Sequence, residues 1–87
     1  MQSITAKTRA RIYGTSQAWR LSFQADQTEV FKECEVSLEI QGDRRNGYHL
    51  VMSPSGFFTA DSWHETRQDA LEKANELFGI KFEEWSK

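Results

Sequence analysis

The chain has 87 residues, of which 38% are hydrophobic and 28% charged, and its formal net charge is −2. This size predicts one domain, residues 1–87, with one modest core, and the 11 aromatic residues make disorder improbable. The charge gives no overall attraction to nucleic acid or anionic lipid, no apolar run is long enough to span a bilayer, and one cysteine favours a reducing compartment, so we expect a cytoplasmic protein.

The first predicted strand runs from Ile4 to Ile12, where small or apolar residues alternate with polar ones. A period of two is typical of a half-buried strand. A hairpin about residues 15–16 would return the chain as a second strand, 18–24, with Ile12 opposite Trp19 and Phe23 also inward. The outward side chains of these two strands are basic: Lys7, Arg9, Arg11 and Arg20.

After a turn near residues 26–27, a third strand alternates in the same way, with Val30, Cys34, Val36, Leu38 and Ile40 inward. Its outward set is mostly acidic: Glu29, Phe31, Glu33, Glu35 and Glu39. Lys32 interrupts the inward set, which predicts a bend or bulge. The inward position of Cys34 indicates an inert buried thiol. Because one cysteine and two isolated histidines have no paired spacing, we expect no metal site and no cofactor.

Two turn motifs connect the next strands. Residues 44–46 predict a three-residue hairpin loop with Asn46 in the left-handed region, which places Leu50 opposite Ile40. Residues 54–56 (Pro-Ser-Gly) predict a second tight turn, with glycine at positive φ, and a return strand over residues 57–63. In this register His49 lies opposite Asp61.

A C-terminal helix follows, with an N-cap at Thr66 and Asp69 three residues later, or earlier at Ser62 with Glu65. Its apolar stripe ends at Gly79, a glycine C-cap. The last residues form either an edge strand or a tail that returns Phe82 or Trp85 to the core. We expect Trp19, Leu38, Leu50, Leu71 and Leu77 to be buried together. The predicted fold class is α+β: a curved antiparallel sheet of about five strands in meander order, with one C-terminal helix packed on its concave face.

A single helix covers one face of such a sheet, so the opposite face carries the candidate site. The basic and acidic stripes either pair across strands, with Arg20 opposite Glu33, or form a charged docking surface. The other candidates combine aromatic and ionisable side chains at the far strands: His49, Phe57, Asp61 and Trp63. The His49–Asp61 pair is either a satisfied surface pair or a contact for a ligand or protein. Trp63 either plugs the end of the core or anchors an interface.

Catalysis is disfavoured, because the His49–Asp61 pair has no well-placed serine or cysteine to activate. The adjacent Arg44 and Arg45 are either solvated loop residues or ligands for phosphate or carboxylate. Exposed strand edges leave a monomer or a homodimer open. We therefore expect binding without catalysis or membrane insertion.

Residues 52–80, which contain Ser-Pro-Ser-Gly, Phe-Thr-Ala-Asp-Ser-Trp and a helix ending in Phe-Gly, resemble a pattern in small uncharacterised bacterial proteins. That resemblance implies no activity. The predicted architecture is also similar to one repeat of the PUR-alpha and Whirly type, which binds single-stranded nucleic acid through an open sheet.

Two functions follow from these features. We favour a non-catalytic protein-interaction or regulatory module that docks another protein through the open sheet face or the Trp63 end. The alternative is a single-stranded nucleic-acid binder that uses arginines with Tyr13, Phe57 and Trp63 as stacking platforms. The neighbouring glutamates count against that alternative, because they repel phosphate.

Overall fold

The computed structural model describes residues 2–15, 17–21 and 30–86, with the backbone alone at residue 2. These residues form five strands, one α-helix and a short 3-10 helix at Phe82–Glu84: β1 (Gln2–Thr15), β2 (Ala18–Leu21), β3 (Phe31–Asp43), β4 (Gly47–Pro54), β5 (Ala60–His64) and α1 (Arg67–Phe78). The strands make one curled antiparallel sheet with α1 on one face, which confirms the predicted α+β fold. In the described part of the chain, no helix has the length and apolar character needed to cross a membrane.

The strand order is β2-β1-β3-β4-β5, so the predicted meander order is wrong at its second step, where β3 joins β1 and not β2. β1 is long enough to pair on both edges: its last four residues pair with β2, and residues 2–13 pair with β3 on the other side. Near its start, Thr5 exchanges two backbone hydrogen bonds with Ser86, at 2.8 and 2.7 Å. The C-terminal tail therefore ends as a single bridge on the edge of β1.

The β1–β2 hairpin pairs Ile12 with Leu21, and Gly14 with Trp19. The predicted pairing of Ile12 with Trp19 is therefore wrong by two residues, because the turn lies one residue further along the chain than expected and each such step moves the register by two. A shift of two keeps every side chain on its predicted face. The expected turn at residues 26–27 and the inward and outward placements of Phe23 and Glu29 lie outside the described residues.

The start of β3 differs from the prediction. The pairing of β3 with β1 is unbroken from Phe31 to Gly42, so Lys32 causes no bulge. Lys32 is exposed opposite Ile12. Val30 is 87% exposed and does not join the core, because it precedes the strand and strand alternation does not apply to it.

The β3–β4 hairpin has the predicted register, with Leu50 opposite Ile40. The left-handed residue is Gly47, at φ 86°, and the expected positive φ of Asn46 is wrong because glycine one position later takes that conformation without a Cβ clash. The Asp43 carboxylate accepts hydrogen bonds from the backbone amides of Arg45 and Asn46, at 2.9 and 2.7 Å. These bonds, chiefly those from Asn46, hold the pKa of Asp43 below its ordinary value.

The helix ends have the predicted caps. The amide of Asp69 donates to Thr66 Oγ1 at 3.0 Å, which selects Thr66 over Ser62 as the N-cap. Gly79, at φ 71°, donates its amide to the carbonyl of Asn75 at 2.8 Å. Both caps satisfy backbone groups that the helix itself leaves unpaired.

The core lies between α1 and the sheet. Leu38, Leu50 and Leu71 are buried as predicted, while Trp19 and Leu77 are partly buried against them. No described polar or charged side chain is buried. The other buried residues are also hydrophobic: Ile4, Ala6, Ile12, Leu21, Cys34, Val36, Ile40, Met52, Ala70, Ala74 and Ile80.

The curl of the sheet brings β2 toward the β4–β5 loop. The Trp19 indole nitrogen donates to the Phe58 carbonyl at 2.9 Å, and the two ring centroids are 6.1 Å apart. Trp85, from the tail, packs against the core, whereas Phe82 is 70% exposed. Aromatic side chains therefore close the ends of a core that one short helix does not fully cover.

Candidate functional site

The surface of the sheet opposite α1, called here the open face, carries all of the predicted site residues except Phe57. Cross-strand pairing places Arg9 opposite Glu35, Arg11 opposite Glu33 and Arg20 opposite Tyr13. It also places His49 opposite Trp63, and Asp61 opposite Val51. Opposed residues of antiparallel strands point to the same side, so these side chains share one surface.

Phe57 is the exception. It is half-buried and packs against the core, because residues 57–59 belong to the β4–β5 loop and β5 begins only at Ala60. Thr59 stays at the surface, where its hydroxyl lies 3.1 Å from that of Ser53. The expected exposed aromatic at position 57 is therefore wrong.

One end of the open face is an arginine–aromatic cluster formed by Arg11, Tyr13 and Phe31. The Tyr13 and Phe31 ring centroids are 5.3 Å apart, and the Arg11 guanidinium carbon lies 4.8 Å from the Phe31 ring centroid. At this distance a guanidinium is attracted to the face of an aromatic ring. Phe31 is still 44% exposed, so the cluster presents an ordered aromatic surface to solvent.

The charged stripes meet between β1 and β3. Arg9 Nε lies 3.6 Å from Glu33 Oε1, and both side chains are more than half exposed. The predicted pairing of Arg20 with Glu33 is wrong, because β3 pairs with β1 and not with β2. The contact between Arg9 and Glu33 supports cross-strand pairing, which reduces the net field of both stripes.

The other end of the open face is a histidine–tryptophan cluster formed by His49, Asp61 and Trp63. His49 Nδ1 lies 2.9 Å from Asp61 Oδ2, so the predicted pair is in contact. The contact is diagonal, because the direct cross-strand partner of His49 is Trp63 and the predicted register is wrong by two residues. Diagonal neighbours on one sheet face are within reach of long side chains.

Trp63 lies over the glycine at the start of β4. Its indole nitrogen donates to the carbonyl of Asn46 at 3.1 Å, and a Cβ built on Gly47 would lie 2.4 Å from the ring. Trp63 is 56% exposed and lies outside the core, so it does not plug the core's end. Its ring is held in one orientation with much of its surface in solvent.

A shallow groove of about 520 Å³ lies between the two clusters. Its floor consists of open-face residues from the middle of the sheet: Thr5, Lys7, Ser37, Glu39, Val51 and Ser53, together with Ala6 and Leu38. Glu84 and Ser86, from the C-terminal tail, form one wall. The bridge between Ser86 and Thr5 fixes that wall, and no local sequence signal predicted it.

Two histidine contacts bear on catalysis. His49 has the carboxylate of Asp61, but no described hydroxyl or thiol hydrogen-bonds to its ring. Sequence reasoning missed a second pair, Ser62 Oγ and His64 Nε2, which are 2.8 Å apart because alternate residues of β5 share a face. Among the described residues no carboxylate hydrogen-bonds to His64, so neither pair makes a nucleophile–base–carboxylate set.

Metal binding has no support in the part of the chain that the structure describes. No three His, Cys, Asp or Glu side chains there come together as possible ligands. The single cysteine, Cys34, is free and buried. Neither the histidine pairs nor the described carboxylates and thiol therefore form a complete set of metal ligands in this part of the chain.

Comparison with known proteins adds no family: no family model, no curated protein and no solved structure matches the chain. The two resemblances noted in the sequence therefore stay predictions. The inference of function rests on the geometry of the open face.

Proposed function

We propose that the protein is a non-catalytic interaction module that binds another protein through the open face. The observation that carries this proposal is the pair of exposed, fixed aromatic side chains, Phe31 and Trp63, at opposite ends of one sheet surface. Within the described residues, α1 packs on the other side of the sheet. Exposed aromatics are frequent anchors of protein interfaces.

The fixed orientation of Trp63 favours tight binding. Its indole hydrogen bond to Asn46 and its contact with Gly47 restrict the ring before any partner arrives. A side chain that is already ordered loses little conformational entropy when it is buried in an interface. Trp63 is therefore the side chain that we expect to contribute most to affinity.

The groove between the clusters indicates what part of a partner fits there. It is lined by one lysine, Lys7, and two glutamates, Glu39 and Glu84, among several hydroxyl groups. This lining suits a polar or basic side chain that projects from the partner between the two aromatic contacts. Several weak polar contacts there would set specificity, while the aromatic ends supply buried area.

Single-stranded nucleic acid is the second candidate, and one observation favours it. The exposed Phe31 ring, with Arg11 over its face and Tyr13 tilted at 44° beside it, resembles the aromatic platforms on which bases stack. Against it, the acidic side chains of β3 lie on the same surface, and Glu33 already pairs with Arg9. Phosphate groups would meet repulsion along the whole acidic stripe.

The test begins with affinity capture from the native cell, followed by titration of the purified candidate partner against variants. We expect Trp63→Ala to weaken binding roughly tenfold or more, and Phe31→Ala to weaken it less. Glu72→Ala, on the outer surface of α1, is the matched control and should leave affinity unchanged. Thermal unfolding of each variant shows whether the fold is intact.

Two results would contradict the proposal. One is a folded Trp63→Ala, Phe31→Ala double variant that binds as tightly as the unchanged protein. The other is a loss of binding only with Glu72→Ala. For the nucleic-acid alternative, labelled oligo(dT) should bind with an affinity that falls steeply with salt and with Arg9→Ala or Arg11→Ala. Absence of that dependence removes the alternative.

A further inference from the structure

A separate cavity of about 260 Å³ lies on the helix side of the sheet, away from the open face. It is bounded by the start of α1, the tip of the β3–β4 hairpin and the floor of the sheet: Ile4, Ile40, Gly42, Asp43, Arg44, Tyr48 and Arg67. None of these residues belongs to the proposed protein-binding surface. The cavity is therefore a second candidate site, separate from the proposed protein-binding surface.

The floor of the cavity is apolar. Ile4 and Ile40 face each other across β1 and β3 and are almost completely buried, and Tyr48 is half-buried beside them. Such a lining favours a hydrocarbon or aromatic group over water. Because the volume is below that of a typical drug-sized site, the floor suits a short apolar chain or a single ring.

The rim of the cavity is polar and carries two guanidinium groups. The guanidinium groups of Arg44 and Arg67 have no hydrogen bond or ion pair with another residue that the structure describes. The rim also contains the Asp43 carboxylate, whose oxygens already accept from the amides of Arg45 and Asn46 and from the Asn46 side chain at 3.2 Å. The rim therefore offers unsatisfied donors and a net charge of one positive unit.

We propose that this cavity binds a small carboxylate that has an apolar body, such as a short-chain fatty acid. The apolar part occupies the floor over Ile4 and Ile40, and the carboxylate accepts hydrogen bonds from Arg44 and Arg67 at the rim. A planar guanidinium matches the two oxygens of a carboxylate. This site is independent of protein binding at the open face, and either can be wrong without affecting the other.

The test uses sodium hexanoate as the probe and the amide resonances of the intact protein as the readout. Saturable shifts are expected at residues 42–48 and at Arg67, and not at Phe31, which lies at the far end of the open face and pairs with Tyr13. Acetate, which lacks the apolar chain, and hexanol, which lacks the charge, should each bind at least about tenfold more weakly. Acetate therefore tests the contribution of the apolar chain, and hexanol tests that of the carboxylate.

The hairpin provides a matched control for the arginines. Arg44→Gln and Arg67→Gln should each weaken hexanoate binding roughly three- to tenfold, since each removes charge-assisted donors. Arg45→Gln removes the same charge from the adjacent turn residue, which does not line the cavity, and should leave binding unchanged. Its backbone amide still donates to Asp43, so the turn is preserved.

Several results would overturn the proposal: no saturable shifts with hexanoate, equal binding of hexanol, or equal losses in the Arg44 and Arg45 variants. Shifts confined to the open face would do the same. A variant that unfolds is replaced by Arg67→Lys, which keeps the charge and removes the planar fork. We expect Arg67→Lys to bind hexanoate with an affinity between those of the unchanged protein and Arg67→Gln.

Discussion

The two faces of this sheet are built from alternate residues of the same strands, yet they have opposite character. On the helix side of β3 and β4, the side chains of Val36, Leu38 and Leu50 are at most 2% exposed to solvent. Their immediate neighbours on the open face are polar, charged or only half-buried: Glu35, Ser37, Glu39 and Val51. The alternation of side chains along each strand thus separates residues that stabilise the fold from residues that are free to serve recognition.

The difference teaches where to look for function in a small domain. On the helix-covered face no polar or charged residue that the structure describes is buried, and the one buried side-chain polar atom without a partner in that part of the chain is the indole nitrogen of Trp85. Burial of apolar surface explains this face. The open face carries three contacts between side chains or with the backbone: Arg11 over the Phe31 ring, the hydrogen bond between His49 and Asp61, and the Trp63 ring over Gly47. A core of this kind needs none of those contacts.

The largest expected difference between the faces is in stability. Leu50→Ala should reduce the free energy of unfolding by about 2 to 5 kcal/mol, because it leaves a cavity in the fully buried centre of the core. Val51→Ala, its neighbour on the open face, should cost at most about 1 kcal/mol. Urea unfolding measures both. Equal losses in the two variants would show that the open face is as tightly packed as the core.

A second comparison isolates the contact between Trp63 and Gly47. Gly47→Ala and Gly56→Ala both force alanine to a positive φ, near 86° and 88°, which costs on the order of 1 kcal/mol. Only at Gly47 does the added Cβ also meet the Trp63 ring, whereas at Gly56 the nearest neighbour is the end of Lys32 at 3.8 Å. Gly47→Ala should therefore cost more, by roughly 1 to 2 kcal/mol.

The excess should vanish when both glycine variants are compared in a Trp63→Ala protein. Thermal or urea unfolding of the four variants completes that cycle. If the excess persists without the indole ring, then the backbone of the hairpin and not Trp63 accounts for the cost.

A smaller effect is expected from the charged pairs of the open face. Arg9 and Glu33 are both largely exposed, so a double-mutant cycle with alanine should give a coupling of about 0.2 to 1 kcal/mol. Added salt should reduce it, because exposed charges are screened. A coupling well above that range, or one that salt does not change, would mean that the pair is shielded from water and contributes to the core's stability.

The smallest effect is a pH dependence at the hairpin that joins β3 and β4. The pKa of Asp43 is lowered in the folded protein by its bonds to Asn46, so its contribution to stability is present above the ordinary value of 3.8. That contribution is lost as the pH falls through the lowered pKa. NMR titration of the carboxyl carbon should give a midpoint below 3.8, and Asp43→Asn should abolish the effect. A midpoint at or above 3.8 would contradict the capping role.

Most of the fold could be predicted because turn chemistry and alternation are local signals. The β3–β4 register, the caps at Thr66 and Gly79 and the inward residues of β3 from Cys34 to Ile40 follow from such signals. Strand order does not, because alternation shows which face a residue takes and not which edge of β1 a later strand joins. The 14-residue β1 accommodates partners on both edges.

Part of the candidate functional site could also be predicted from the alternation of side chains along the strands. His49, Asp61 and Trp63 lie on the predicted face because a register error of two residues leaves each side chain on the same face of the sheet. Phe57 was misplaced because alternation was extended into a loop, where it has no meaning. The groove and the helix-side cavity depend on the tail and on the start of α1, which are distant from the strands in sequence.

The central proposal is that a partner protein binds to the open face, and amide chemical-shift mapping with a purified partner tests it most directly. We expect perturbations at Phe31, His49, Asp61 and Trp63 and little change along the outer surface of α1. Perturbations confined to residues 67–78 would contradict the assignment and place the interface on the helix.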